Sequence, residues 1–196
     1  MTLPLDQEPK VALTAVVLIP PEEVWEPIQA IRRLHDPQLL RWMPHVTLLY
    51  PFVPEARLAE AADLLRPAMA AIEPFDLTLG GFGKFTHSPR SVTLWLQPDP
   101  IAPLAALQGS LEQAMPWCDD VAGFFGGFTP HLSVGRFQSA SDADRVAERT
   151  AATWQPLVFR VAEVALIARS GLPAAPFITR ARVPLGQSAA PAGDPA

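Results

Sequence analysis

The sequence predicts an α+β fold with mostly antiparallel sheet and a rough internal duplication. Three observations carry that expectation. Segments with strand and helix periodicity follow the order β-α-β-α-β-β-α-β-α-β-β, with two hairpin pairs. Hydrophobic residues are 49% and charged residues 18% of 196 positions, the balance of a chain that buries a core. Two segments, Pro44-His45-Val46-Thr47 and Pro130-His131-Leu132-Ser133, each open a strand that is followed by a helix and then a pair of strands.

The elements follow in order. Val11–Ile19 is rich in β-branched residues and reads as a buried strand. Pro20-Pro21-Glu22-Glu23 starts a helix, because proline and acids suit a first turn, and Val24, Ile28, Ile31 and Leu34 recur at helical spacing to His35. A loop, Asp36 to Pro44, leads to a strand at His45–Tyr50, which Pro51 and Pro54 end. Ala59–Ala71 reads as a helix and Phe75–Leu79 as a strand. Gly80-Gly81-Phe82-Gly83 is expected to bend, Lys84–Arg90 to form a polar loop, and Ser91–Gln97 to pair back with the preceding strand. Ile101–Met115 is helical, and Cys118–Thr129 is a loop with three glycines and three phenylalanines. His131–Phe137 is a strand, Ser141 caps a helix, and Leu157–Ala168 and Phe177–Pro184 close the fold as strands. Residues 1–185 are expected to form one domain, and the Ala/Pro/Gly/Ser-rich 186–196 a disordered tail.

Composition narrows the functions. With 15 basic and 20 acidic residues the net charge is −5, unlike a protein that coats duplex nucleic acid. Any RNA is therefore expected to be held at a local pocket, by its terminus. One cysteine, Cys118, allows no disulfide within the chain and no cysteine metal cluster. No signal peptide and no apolar run long enough to span a bilayer is visible, so a cytoplasmic monomer away from membranes is expected. No phosphate-cradling or dinucleotide-binding glycine motif and no HExxH is present.

The chemistry lies in the paired motifs. Residues i and i+2 share a strand face, so His45 projects with Thr47 and His131 with Ser133, while Val46, Leu48, Leu132 and Val134 turn inward. Each motif sets an imidazole beside a hydroxyl on an otherwise apolar strand. His35 and His87 have proline at the +2 position and do not share the pattern. A single such motif is a weak signal, and a strand-end histidine bonded to a neighbour explains it equally well. Two, each led by proline, are much stronger.

The paired motifs resemble those of the two-histidine (2H) phosphoesterase superfamily. Within it the chain is most similar to the 2′-5′ RNA ligase family, also described as RNA 2′,3′-cyclic phosphodiesterases. The resemblance covers nearly the whole chain, including the strand Ser91-Val92-Thr93-Leu94-Trp95-Leu96. Arg136 stands five residues after the second histidine, where the family has arginine, and Tyr50 matches an aromatic in the first motif. Ser133 departs from the usual threonine but keeps the hydroxyl. The resemblance implies a bilobed, pseudo-twofold fold, with mostly antiparallel sheets lining a central cleft and helices outside. It implies opening of RNA 2′,3′-cyclic phosphate ends to 2′-phosphates and related ATP-independent 2′-5′ joining, with tRNA processing as the family setting.

Acid–base chemistry fits a pair of histidines, which titrate nearest neutrality, without metal or other cofactor. Expected catalytic residues are His45 and His131, with His131 taken as base and His45 as acid. Thr47 and Ser133 are expected to donate to the phosphate, and Arg136 and Tyr50 to bind substrate. Arg136 has the wrong strand parity for the His131 face unless Gly135 hosts a bulge, and a surface arginine is its alternative. Phe82, Phe85 and Phe128 are further stacking candidates, or core residues, and Arg41, Lys84 and Arg90 phosphate contacts, or solvated charges. Trp25, Trp42, Trp117 and Trp154 are assigned to packing. Small cyclic nucleotides or ADP-ribose cyclic phosphate are the alternative substrates. A non-catalytic RNA-end-binding module is the reading from another class.

Overall fold

The computed structural model describes residues 3–123 and 127–186; most of the expected tail and the centre of the glycine-phenylalanine loop lie outside the described residues. Twelve main elements follow one another: β1 (Thr14–Leu18), α1 (Trp25–His35), β2 (Val46–Leu49), α2 (Leu58–Ala70), β3 (Phe75–Ser88), β4 (Ser91–Asp99), α3 (Ile101–Ala114), β5 (Leu132–Phe137), α4 (Ala140–Ala151), β6 (Leu157–Val161), β7 (Glu163–Ala168) and β8 (Ile178–Pro184). They build two four-stranded sheets, β2-β1-β7-β8 and β5-β4-β3-β6, in which every pairing is antiparallel.

The duplication is explicit in the topology. β1-α1-β2-α2 corresponds to β4-α3-β5-α4, and each histidine motif leads the strand at one edge of its sheet. The helices cross over: α1 lies against β5 and α3 against β2, so each packs on the histidine strand of the opposite sheet. Close approach of α1 needs Gly135, because a Cβ there would come within 2.8 Å of His35 Cβ and 2.9 Å of the Phe137 ring. One continuous core joins the helices to one face of both sheets, through Val16, Leu48, Leu79, Leu94, Leu111 and Val134. The opposite faces line a cleft.

The structure corrects three local expectations. β3 does not bend at Gly80-Gly81-Phe82-Gly83, and Lys84–Ser88 is not loop; the strand runs straight through to a hairpin tip at Pro89-Arg90. The glycines serve the ladder instead. Gly80 is the extra residue of a bulge between the Leu79–Pro98 and Gly81–Gln97 pairs, and Gly83 lies under the indole of its partner Trp95. Leu157–Ala168 is two strands, one in each sheet. β6 is an alternating edge strand and β7 is almost fully buried, and the break at Ala162 marks the crossing between sheets. Finally, the cap of α4 is Ser139 rather than Ser141: its Oγ accepts from the backbone N–H of Asp142 at 3.1 Å.

Gly83 gives a first test. A Cβ there would fall 2.3 Å from the Trp95 ring. Gly83→Ala is expected to destabilise the fold by about 1–3 kcal/mol, the cost of overpacking, as read by thermal unfolding.

Candidate functional site

The two histidines are held in the same way. Pro44 and Pro130 are buried and fix the chain just ahead of each strand. Nδ1 of His45 lies 2.7 Å from the Met43 carbonyl oxygen, and Nδ1 of His131 lies 2.8 Å from that of Thr129. A carbonyl can only accept, so each Nδ1 carries a proton and donates it to the residue two places back. Each Nε2 is thereby left as the acceptor in the neutral ring.

Both strands carry a bulge at the same place. β1 pairs Val17 with Thr47 but Val16 with Leu49, which makes Leu48 the extra residue. β4 pairs Trp95 with Ser133 but Leu94 with Gly135, which makes Val134 the extra residue. A bulge reverses side-chain parity beyond it. Arg136 pairs with Thr93, which shares its strand face with Trp95, the partner of Ser133. Arg136 thus returns to the face of Ser133. The bulge beside Gly135, required by parity, is present. By the same geometry Tyr50 returns to the face of Thr47.

The surroundings of the two imidazoles differ. On the first sheet, Ala15, Val17, Ala165, Ile167 and Phe177 form a small apolar cluster on which Trp42, Met43 and Tyr50 pack. The Trp42 indole stacks between the Phe177 ring at 3.7 Å and the His45 ring at 4.6 Å, with Tyr50 edge-on at 5.9 Å. On the second sheet, Phe85 meets His131 edge-on at 4.8 Å, and Trp95 lies 6.1 Å from it. A cavity of about 450 Å³ opens between the sheets, lined by Thr47, Tyr50, Phe85, His87, Phe128 and His131 among others. His45 is not part of its wall, but its neighbour Thr47 is.

Burial pushes the His45 imidazole down to about 4, helped by the positive charges of Arg32 and His131 and opposed by the Met43 carbonyl and Asp36. Burial also lowers His131, helped by His87 and opposed by the Thr129 carbonyl. Each is within electrostatic reach of a further cation, and both are neutral at neutral pH in the free cleft.

Of the expected site residues Thr47, Tyr50 and His131 line the cavity, while His45 lies on the strand face of Thr47 and Ser133 and Arg136 on that of His131. Not all the auxiliary candidates reach the cleft. Phe82 alternates away from Phe85 and packs edge-on against Trp154 at 5.7 Å in the core. Lys84 also turns to the helix side and pairs with Asp144 of α4 at 2.5 Å. Arg41 donates to the Pro173 carbonyl at 2.6 Å and holds the loop of the first sheet. Arg90 sits exposed at the hairpin tip. Phe85 and Phe128 stay as cavity walls.

Four residues were missed in the sequence. Trp42, assigned to packing, is the platform under His45. Arg32 is a charged side chain only 2% exposed, and it donates to Asp36 at 2.8 Å, Gln29 at 3.0 Å and the Trp42 carbonyl at 2.7 Å. Trp95 and His87 share the His131 face through strand alternation, a signal that was available once β3 was recognised as continuous. Among the described residues no group of three or more His, Cys, Asp or Glu side chains is placed to hold a metal ion, and no helix is long and apolar enough to cross a membrane.

Known proteins resemble this chain in sequence and in fold. The chain is 28% identical over 144 residues to the RNA 2′,3′-cyclic phosphodiesterase of Methanothermobacter thermautotrophicus, covering 69% of this chain and 74% of that one. A Thermus thermophilus protein superposes with a TM-score of 0.59 at 21% identity, over 90% of this chain and all of the other. Escherichia coli LigT, crystallised with NADP+, superposes with a TM-score of 0.56 at 25% identity, over 92% of this chain and all of LigT. The model of the 2′-5′ RNA ligase superfamily matches residues 20–173, a span that contains both histidine motifs and all of the second sheet. The chain belongs to the 2′-5′ RNA ligase superfamily, the 2H phosphoesterases.

Proposed function

We propose that this protein opens RNA 2′,3′-cyclic phosphate ends to 2′-phosphates without a metal ion, using His45 and His131 as its acid–base pair. The observation that carries this reading is the twinned geometry. Each histidine donates through Nδ1 to the carbonyl two residues back, stands beside a hydroxyl, and leads a strand whose bulge sits at the same offset. Such a pair can work on one phosphate from two sides. The name of the methanogen relative supports the substrate class.

The step balances simply. A water oxygen bonds to phosphorus as one imidazole takes its proton, and the bond from phosphorus to the 3′ oxygen breaks as the other imidazole supplies a proton. The phosphate stays on the 2′ oxygen. Thr47 and Ser133 donate to the non-bridging oxygens, whose charge grows in the transition state. Joining replaces water with a 5′-hydroxyl on the same site and needs no ATP, because the strained cyclic ester supplies the driving force.

Burial favours the opposite of the roles expected from the sequence. The deeper His45, held at about 4, is neutral and serves as base, and the more accessible His131 serves as acid. For the free enzyme, kcat/KM then rises as pH climbs through about 4, when the base loses its proton. It falls as pH passes the lowered value of His131, below 6.5. The expected profile is a bell on the acid side of neutrality. A cyclic ester with sulfur in place of the 3′ oxygen separates the roles, since a thiolate leaves without a proton. It is expected to restore turnover in His131→Ala but not in His45→Ala, and the opposite pattern would return the roles to the sequence expectation. Turnover of the oxygen ester is expected to continue in excess chelator, and its abolition there would overturn metal independence.

A further inference from the structure

Lys10 ties two walls of the cavity together, and it lies ahead of the residues that the superfamily model matches. Thr47 and Tyr50 wall the cavity from the first sheet, and Val121 walls it from the turn that follows α3. In that turn the Gly123 N–H donates to the Asp119 carbonyl at 3.1 Å. Lys10 reaches the turn from 110 positions earlier in the chain. Its Nζ donates to the Trp117 carbonyl at 2.7 Å, forms an ion pair with Asp120 and lies 3.8 Å from Asp119.

The two residues after Lys10 hold the opposite wall. Val11 exchanges both backbone hydrogen bonds with Phe52, at 2.7 and 3.2 Å, and the Ala12 carbonyl accepts from the Tyr50 hydroxyl at 3.3 Å. The residues ahead of Lys10 are fastened as well. Leu5 is buried in the core, Glu8 pairs with Arg57, and Arg57 donates to the Leu3 carbonyl at 2.9 Å. Lys10 is thus an arm on a fixed segment. An exposed lysine swings on a flexible stem, and its ion pairs contribute little. This one is only 25% exposed and serves a carbonyl and a carboxylate at once, so each bond is charge-assisted.

We infer that Lys10 is a positioning residue for the reaction: by tying the Asp119–Gly123 turn to the segment that holds Tyr50, it sets the separation of Tyr50 from Val121 and so the room for the group attached to the reacting phosphate. The inference rests on the reading that the phosphate lies at the histidines and the rest of the substrate enters the cavity. A wall held in place beforehand spares the ligand the cost of ordering it. The benefit falls on ligands large enough to reach Val121, not on phosphate alone.

The test uses wild type, Lys10→Met, which keeps the stem and loses the charge, and Lys10→Arg, which can serve both acceptors. Two ligands that do not turn over are titrated by calorimetry. Adenosine 2′-phosphate reaches from the histidines into the cavity, and inorganic phosphate fills only the place between the histidines. Lys10→Met is expected to weaken adenosine 2′-phosphate roughly tenfold, the scale of a wall that the ligand must order for itself, and to leave inorganic phosphate within about twofold. Lys10→Arg should recover most of the loss. On a cyclic ester, KM should rise in Lys10→Met with kcat little changed, since the histidines are untouched. Hydrogen exchange at the Gly123 amide reads the turn without any ligand, and it should be faster in Lys10→Met and near wild type in Lys10→Arg. Equal losses on both ligands, as from a general fold defect, overturn the positioning role, as do unchanged exchange at Gly123 or unchanged affinity for adenosine 2′-phosphate. The two readings stay separable. A wild type that binds adenosine 2′-phosphate no better than phosphate, or leaves the cyclic ester intact, sinks the hydrolytic function, and exchange at Gly123 then still decides whether Lys10 holds the turn. Normal turnover with none of the Lys10 effects sinks the positioning role alone.

Discussion

Replacing either histidine with alanine is expected to lower kcat/KM on a cyclic phosphate end by about 10²–10⁴-fold, the usual contribution of one positioned acid or base. The fold should survive, since neither ring fills the main core. His45→Ala has a second, smaller consequence. Trp42 loses the ring stacked on it at 4.6 Å but keeps Phe177 at 3.7 Å, so the platform persists. Because the pair acts as a unit, the double variant is expected to lose little more than the worse single variant. Additive losses would show that the histidines do not share a transition state.

Arg32→Met is expected to be the most damaging change outside the cleft, at about 3 kcal/mol of stability, because it leaves a mostly buried partner carboxylate without its opposite charge. Asp36 is that partner, 2.8 Å away, and it also accepts from the Gln38 N–H at 2.8 Å, which ties down the start of the loop to His45. The other end of the tie is the Trp42 carbonyl, 2.7 Å from Arg32. Losing the guanidinium therefore loosens both the loop and the indole beneath His45. It also removes a positive charge that lowers His45, so the imidazole should titrate at higher pH in the variant. Chemical denaturation reads the first effect, and an NMR titration of the ring reads the second. Arg32→Met combined with Asp36→Asn is expected to recover part of the stability, since the unpaired charge is gone. No recovery would show that the tie to Trp42, not the ion pair, carries the cost.

The histidine strands were legible because their information is local. A two-residue period places His45 with Thr47 and His131 with Ser133, and no distant contact is needed to see it. Arg136 was legible by a longer route, through the parity conflict that only a bulge resolves. The equivalent bulge at Leu48 left no such mark, because leucine is at home in a regular strand. Gly80, Gly81 and Gly83 misled for a physical reason: glycine marks a bend, a bulge or a close neighbour equally well, and the neighbour, Trp95, is brought there by strand pairing. The break at Ala162 was hidden in a continuous apolar run whose halves differ only in how many faces they bury. Trp42 and Arg32 carried no pattern of their own, since their roles arise from contacts made after the loop has folded back on β2. The duplicated topology, in contrast, was visible as order, with the pairing β1/β2 and β4/β5 left for the structure to supply.

The position of the phosphate on the product gives the sharpest check on a two-histidine grip. An oligoribonucleotide ending in a 2′,3′-cyclic phosphate is incubated with wild type, His45→Ala and His131→Ala, and the products are resolved as 2′- or 3′-phosphates. Wild type is expected to give the 2′-phosphate alone and both variants to leave the cyclic end intact. A 3′-phosphate product, or turnover that persists in both variants, would contradict a phosphate gripped between these two histidines.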